Sequence, residues 1–175
     1  VGRETVTVRR RLKAAVFSTG DEVRDPSAGA PDGCIFDANR YAVMALLRAL
    51  GCQVSDLGIL PDDEAVIRDA LSAGSEGHDL LFTSGGVSLG DEDHVKAAIQ
   101  ALGSIHFWRL AIKPGRPIAL GQVNGTAFVG LPGNPVAAMV TFLRIARPLV
   151  LMMAGRGDLQ APLYRLPAAF TYNKK

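Results

Sequence analysis

The sequence predicts an α/β fold: a mainly parallel sheet flanked by helices. Three observations carry this. Short apolar runs rich in strand formers (13–19, 52–60, 78–84) alternate with amphipathic stretches (36–51, 61–74, 91–103) long enough to be helices. Strands separated by helices of this length imply βαβ crossovers, and hence parallel pairing. Asn124-Gly125, set between the runs 116–122 and 126–131, is a hairpin signal and adds an antiparallel pair.

The first strand, 13–19, ends at Gly20-Asp21-Glu22, and the stretch holding Pro26, Gly29, Pro31 and Gly33 reads as loop. In 36–51, Asp37 is placed to N-cap a helix, Gly51 sits at the C′ position, and Tyr41, Met44, Ala45, Leu47 and Leu50 fit one apolar face. Strand 52–60 is followed by helix 61–74, with acids in its first turn where the dipole favours them. Strand 78–84 runs into Gly85-Gly86, then helix 91–103 and strand 104–112. The long apolar helix 133–155 is expected to bend at Pro148.

A hydrophobic content of 48% with 21% charged residues is that of a globular protein, and a net charge of +2 is too small to argue for nucleic acid or an anionic membrane. Aromatic residues, at 6% and scattered, offer no stacking platform for bases. Cys34 and Cys52 form no disulfide framework and no CxxC, so a reducing compartment is expected. Residues 1–13 contain no apolar run of the secretory kind, which points to the cytoplasm. The most apolar stretch, 134–154, contains Arg144, Arg147 and Pro148 and reads as a buried helix, not a membrane span. The chain starts at Val1 and closes on an extended segment beyond 154–158, so a piece of a longer protein is expected.

Chemistry gathers in the loops. Lys113-Pro114-Gly115-Arg116-Pro117 cannot be helical; its prolines stiffen a turn that holds two cations, a surface suited to an anion. Taken alone it reads equally as a solvated turn. Four strand ends carry further polar or glycine-rich loops: 18–22, 61–63, 84–93 and 131–135. Ligands of open α/β sheets bind outside the carboxyl ends of the strands, so these loops and the cationic turn are expected on one edge. Gly85-Gly86 allows close backbone approach to an anion, or simply makes a tight turn. Asp62 and Asp93 begin two helices, expected on adjacent strand ends; Mg²⁺ typically takes one or two carboxylates together with substrate phosphates. His78, His94 and His106 show no zinc-site spacing.

The segments STGDE, DAN, PDD, TSGGVSLGDED, KPGRP and LPGNP occur in this order. Together they make residues 12–150 resemble the molybdenum-cofactor biosynthesis domain. Within it the molybdopterin molybdotransferase branch is the most similar, a branch whose eukaryotic relatives include the E domain of gephyrin. The resemblance implies a Rossmann-like fold for 12–155. It makes 1–11 a linking strand from an upstream domain and 156–175 the start of a truncated C-terminal β domain. It implies a reaction in which molybdate is joined to adenylylated molybdopterin with release of AMP, Mg²⁺ assisting, and a homodimer with clefts between subunits.

By the same resemblance Glu22, Asp62 and Asp93 are the functional acids, with Asp62 and Asp93 as metal ligands. Thr19, Gly20, Asp21, Asn39, Ser84, Gly85, Gly86 and Ser88 would bind substrate. Lys113, Pro114, Gly115, Arg116, Pro132, Gly133, Asn134 and Pro135 would do so around the oxyanion. The missing flanking domains imply a chain that binds without turning over. A related molybdopterin adenylyltransferase and a non-catalytic scaffold stay open as alternatives. Self-association is also expected from an unpaired strand at 163–171 and from Val136, Met139, Val140, Leu143, Leu149, Val150 and Met153 on the long helix.

Overall fold

A computed structural model describes residues 2–29, 31–86, 94–113, 117–161 and 164–171, excluding the side chains of 107–109. The elements are β1 (Lys13–Thr19), β2 (Val23–Arg24), a 3₁₀ turn (Pro26–Ala28), β3 (Ile35–Phe36), α1 (Ala38–Ala49), β4 (Gln53–Leu60), α2 (Glu64–Gly77) and β5 (Leu80–Ser84). There follow α3 (His94–Leu102), β6 (Gly103–Arg109), β7 (Pro117–Val123), β8 (Thr126–Leu131), α4 (Pro135–Thr141), a π turn (Phe142–Ala146) and α5 (Arg147–Met153). β2 and β3, which lie in a stretch the sequence reads as loop, form a separate parallel pair with Val23 opposite Ile35.

The six-stranded sheet has the order β4-β1-β5-β8-β7-β6. β4, β1, β5 and β8 are parallel, and β7 runs antiparallel to both β8 and β6. This is the α/β, Rossmann-like, mainly parallel architecture expected. Two features set the central strands. β1 is buried at every position but Lys13, and β5 is buried throughout, as strands covered on both faces must be. Alternation then divides their side chains between two cores. Ala14, Val16, Leu80 and Phe82 meet α1 and the long helix, with the Phe82 and Phe142 rings 6.0 Å apart. Ala15, Phe17 and Leu81 meet Ile67 and Leu71 of α2 and Val95 and Ile99 of α3.

Several expectations need correction. β1 lies between β4 and β5, so the strand ends that precede Asp62 and Asp93 are not adjacent; with strands about 4.8 Å apart they are about 10 Å from one another. α1 buries Arg40, Val43, Met44 and Leu47, while Tyr41 and Ala45 face outward. The face is turned because Asp37 and Arg40 pack inward as a charge-paired unit. Asp63, not Asp62, caps α2, accepting from the Val66 N–H. Val150, assigned above to a self-association face, is 1% exposed and belongs to the core.

The expected distortion at Pro148 is displaced upstream. Pro148 has no N–H to give the Arg144 carbonyl, and its ring crowds that carbonyl. The preceding turn widens, and the Arg147 N–H bonds to the Phe142 carbonyl five residues back. The helical run Pro135–Met153 is long and apolar enough, by length and composition, to cross a membrane. In the fold Ala138, Phe142, Ala146 and Val150 pack it into the core against the sheet, with Val136, Met139, Leu143 and Met152 on its outer side. Residues 5–12 and, among the described residues, 158–168 contain no helix, strand or turn.

Candidate active site

The parallel strands deliver the ends of β1, β4, β5 and β8 to one edge of the sheet, and the two antiparallel steps turn the end of β6 the same way. On that edge a cleft of about 230 Å³ opens over the ends of β1 and β5. Its floor is Ser18, Thr19, Ser84 and Gly85; the first turn of α1 (Asp37, Ala38, Asn39) and the start of the long helix (Gly133, Pro135) flank it; Glu22, Val23, Ile35 and Phe36 close the outside.

Local chemistry holds these pieces. Asp37 is 3% exposed and N-caps α1, accepting from the Arg40 N–H at 3.1 Å and from Ser18 Oγ at 3.1 Å. Arg40, also 3% exposed, donates from Nε to Asp37 at 2.8 Å and from Nη2 to Asp25 at 2.7 Å, and its Nη1 bonds Asp56 of β4. Burial works to lower the Arg40 pKa, but the bonds to Asp37 and Asp56 outweigh it and hold the guanidinium above its ordinary value. One fixed, forked cation thus joins the loop after β2, the start of α1 and β4. Asp25 also accepts from Ser27 and from the Tyr41 hydroxyl. The Ser27 bonds first, then those from Tyr41 and Arg40, keep its carboxyl well below the usual range. Across the cleft, Asn39 Nδ2 donates to the Gly133 carbonyl at 2.7 Å, and Asn134 caps the long helix through the Ala137 N–H at 3.0 Å.

The two glycines after β5 are there for geometry. Both have positive φ, +86° at Gly85 and +62° at Gly86. A Cβ on Gly86 would stand 2.6 Å from Val95 Cγ2 and 2.7 Å from Thr19 Oγ1. The Gly85 N–H is already given to the Leu131 carbonyl at 3.1 Å, so it is not a free donor for an anion.

Of the residues expected to form a site, Thr19, Glu22, Asn39, Ser84, Gly85, Gly133 and Pro135 line this one cleft. Gly20, Asp21 and Gly86 adjoin it in the chain, Pro132 is buried, and Asn134 acts as the cap. Asp62 is exposed at the end of β4 and Lys113 is exposed beyond β6; neither lines the cleft. Lys113 follows a strand three places from β5, about 14 Å across the sheet edge. Ser88, Asp93, Pro114, Gly115 and Arg116 lie outside the described residues. Among the described residues no three His, Cys, Asp or Glu side chains are grouped to hold a metal ion.

Sequence reasoning missed Val23, Ile35 and Phe36, named Ser18 only as part of the 18–22 loop, and saw Asp37 only as a cap. It missed Arg40 as well. The available signal was a cation three residues after a capping aspartate, on the helix face that Val43, Met44 and Leu47 bury.

Comparison with known proteins bears on this geometry. Residues 15–151 match the family model described as "Probable molybdopterin binding domain". The chain is 44% identical over 162 residues to molybdopterin molybdenumtransferase of Haemophilus influenzae, covering 93% of this chain and 40% of that protein. It is 38% identical over 144 residues to molybdenum cofactor synthesis protein cinnamon of Drosophila melanogaster, covering 82% and 24%. The crystal structure of the molybdopterin biosynthesis moea protein from Pyrococcus horikosii superposes with a TM-score of 0.75 at 30% identity, over 85% of this chain and 37% of that one. The chain therefore spans about 40% of the Haemophilus relative's length and less of the other two. Fold, motif order and the match over 15–151 place the chain in the molybdopterin-binding domain family of molybdenum cofactor biosynthesis.

Proposed function

We propose that this chain is the substrate-binding α/β domain of a molybdopterin molybdotransferase, and that adenylylated molybdopterin binds in the cleft between α1 and the long helix. The observation that supports it best is the meeting of Thr19, Glu22, Asn39, Ser84, Gly85, Gly133 and Pro135 in one cleft. These residues come from separate stretches of sequence, and a purely structural domain has no need to bring them together. The relatives named molybdopterin molybdenumtransferase supply the reaction class.

In this reading molybdate, a compact dianion, is received by Lys113 and Arg116, in the sequence between β6 and β7, where an ammonium and a guanidinium suit an oxyanion. Molybdate is joined to the pterin and AMP is released. A magnesium ion would take Asp62 with Asp93 and the substrate's phosphates, and would supply charge neutralisation there; Glu22 remains within the cleft as an acid. The location would be cytoplasmic, and the protein would work as a homodimer. Because the chain spans less than half of its relatives, it binds but does not complete the transfer by itself: an open cleft leaves charges solvated, and electrostatic catalysis needs a water-excluded site.

Calorimetric titration with AMP and with molybdate, followed by an assay of AMP release from adenylylated molybdopterin with molybdate and Mg²⁺, tests this. Binding of both ligands without AMP release is the expected result. Failure to bind AMP defeats the proposed site, and turnover at the rate of a full-length transferase defeats the claim of incompleteness. Sedimentation at high protein concentration tests the dimer; a persistent monomer counts against it.

A further inference from the structure

The cleft lining joins two unlike chemistries: Ser18, Asp37 and Ser84 are polar, whereas Val23, Ile35 and Phe36 are apolar. Ile35 and Phe36 are 57% and 53% exposed. Large apolar side chains turned into a solvent-open cleft are not explained by packing, and belong with ligand contacts. A cleft that offers apolar side chains beside polar groups matches a flat nitrogen heterocycle, whose face is apolar and whose edge carries donors and acceptors.

The Ile35–Phe36 pair is also fixed in place. Ile35 N–H bonds the Glu22 carbonyl at 2.8 Å and Asp37 N–H bonds the Arg24 carbonyl at 2.9 Å, so the β2/β3 pair is tied at both ends. Asp25, in the loop between them, is latched to α1 by Arg40 and Tyr41. A ring packing against Phe36 therefore meets a surface that the Arg40 guanidinium ties to α1 through Asp25 and Asp37.

Resting on the cleft assignment above, we propose that the Ile35–Phe36 wall is the specificity surface that packs against the heteroaromatic ring of the ligand, whether pterin or purine. Arg40 is the positioning residue that ties the loop between β2 and β3 to α1 and β4. The ring's source is open in chemistry but separable by experiment.

Calorimetry on the full chain would compare Phe36→Ala with the unmutated protein, using AMP, neopterin, and ribose 5-phosphate as the ringless control. Phe36 is half exposed, so circular dichroism should be unchanged. The substitution should weaken AMP, neopterin or both by about ten-fold, the scale of a lost aromatic stack, and leave ribose 5-phosphate within two-fold. Loss confined to AMP assigns the wall to the purine, and loss confined to neopterin assigns it to the pterin; Phe36→Tyr should restore either. Unchanged affinity for both ring compounds overturns this inference while leaving the cleft assignment intact, as does an equal loss for ribose 5-phosphate. If the unmutated chain binds neither ring compound, the cleft assignment falls and this inference with it.

Discussion

Asn39 and Gly133 are 94 residues apart in sequence, yet both line the cleft, and the Asn39 amide donates to the Gly133 carbonyl at 2.7 Å. The contact fixes the first turn of α1 against the loop that starts the long helix. Asn39→Ala should lower stability by about 1 kcal/mol, the net value of such a bond, and let the two helix starts separate. Urea denaturation gives the first quantity, and hydrogen exchange at 133–138 reports the second.

Arg40 tests the buried charge cluster. In Arg40→Met the Asp37 carboxylate, 2% exposed, loses its cation and stays buried. The expected loss is about 3–5 kcal/mol, the range for breaking a buried pair by removing one partner. A loss below 1 kcal/mol in denaturant midpoints would show that the cluster contributes little.

Acid should loosen the contacts of two carboxylates, Asp25 in this cluster and Asp79 just before β5. Asp25 has a depressed pKa in the fold, first through Ser27 and then through Tyr41 and Arg40, and Asp79 is depressed first through Arg10 and then through the Lys13 N–H. A depressed folded pKa stabilises above the unfolded value, and that contribution is lost as pH falls through the folded value. Stability should thus be flat above about pH 5 and decline below the ordinary carboxylate range near 4. Asp25→Asn should flatten part of that decline in melts recorded from pH 7 down to pH 3.

Gly86→Ala should be costly. The new Cβ meets Val95 and Thr19 at 2.6 and 2.7 Å, and the backbone sits at φ +62°. Overpacking of this kind costs about 1–3 kcal/mol, seen as a lower thermal midpoint.

Asp62 and Asp63 should separate cleanly. Asp63→Ala removes the cap on Val66 N–H and should cost about 1 kcal/mol, whereas exposed Asp62→Asn should stay within about 0.5 kcal/mol. If Asp62 binds metal, only its substitution should weaken Mg²⁺ binding by calorimetry.

Much of the fold was legible because its signals are local. The Lys13–Thr19 strand, the Asp37 cap and the Asn124-Gly125 hairpin each depend on a few neighbouring residues, and each formed as read. Strand order is not local: periodicity tells where β4 and β5 are, not that β1 lies between them, so the strand ends before Asp62 and Asp93 read as adjacent when they are not. The site was legible where glycines, prolines and polar loop residues mark it. It was not legible at Ile35 and Phe36, which sit where a loop gives way to the helix read over 36–51, or at Arg40, which looks like a surface cation until three aspartates from different segments converge on it.

The sheet order has a consequence for how the chain assembles. β6, β7 and β8 are neighbours in sequence and in space, joined by antiparallel pairing that closes short loops. The β4-β1-β5 half must bring together strands separated by whole helices, at a greater entropic cost before any contact rewards it. The 103–131 meander should therefore be an early-forming unit and the parallel half should dock later. In that sequence of events the cleft, which spans β1, β5 and the segment after β8, comes into being only at the last step, and its integrity reports complete folding.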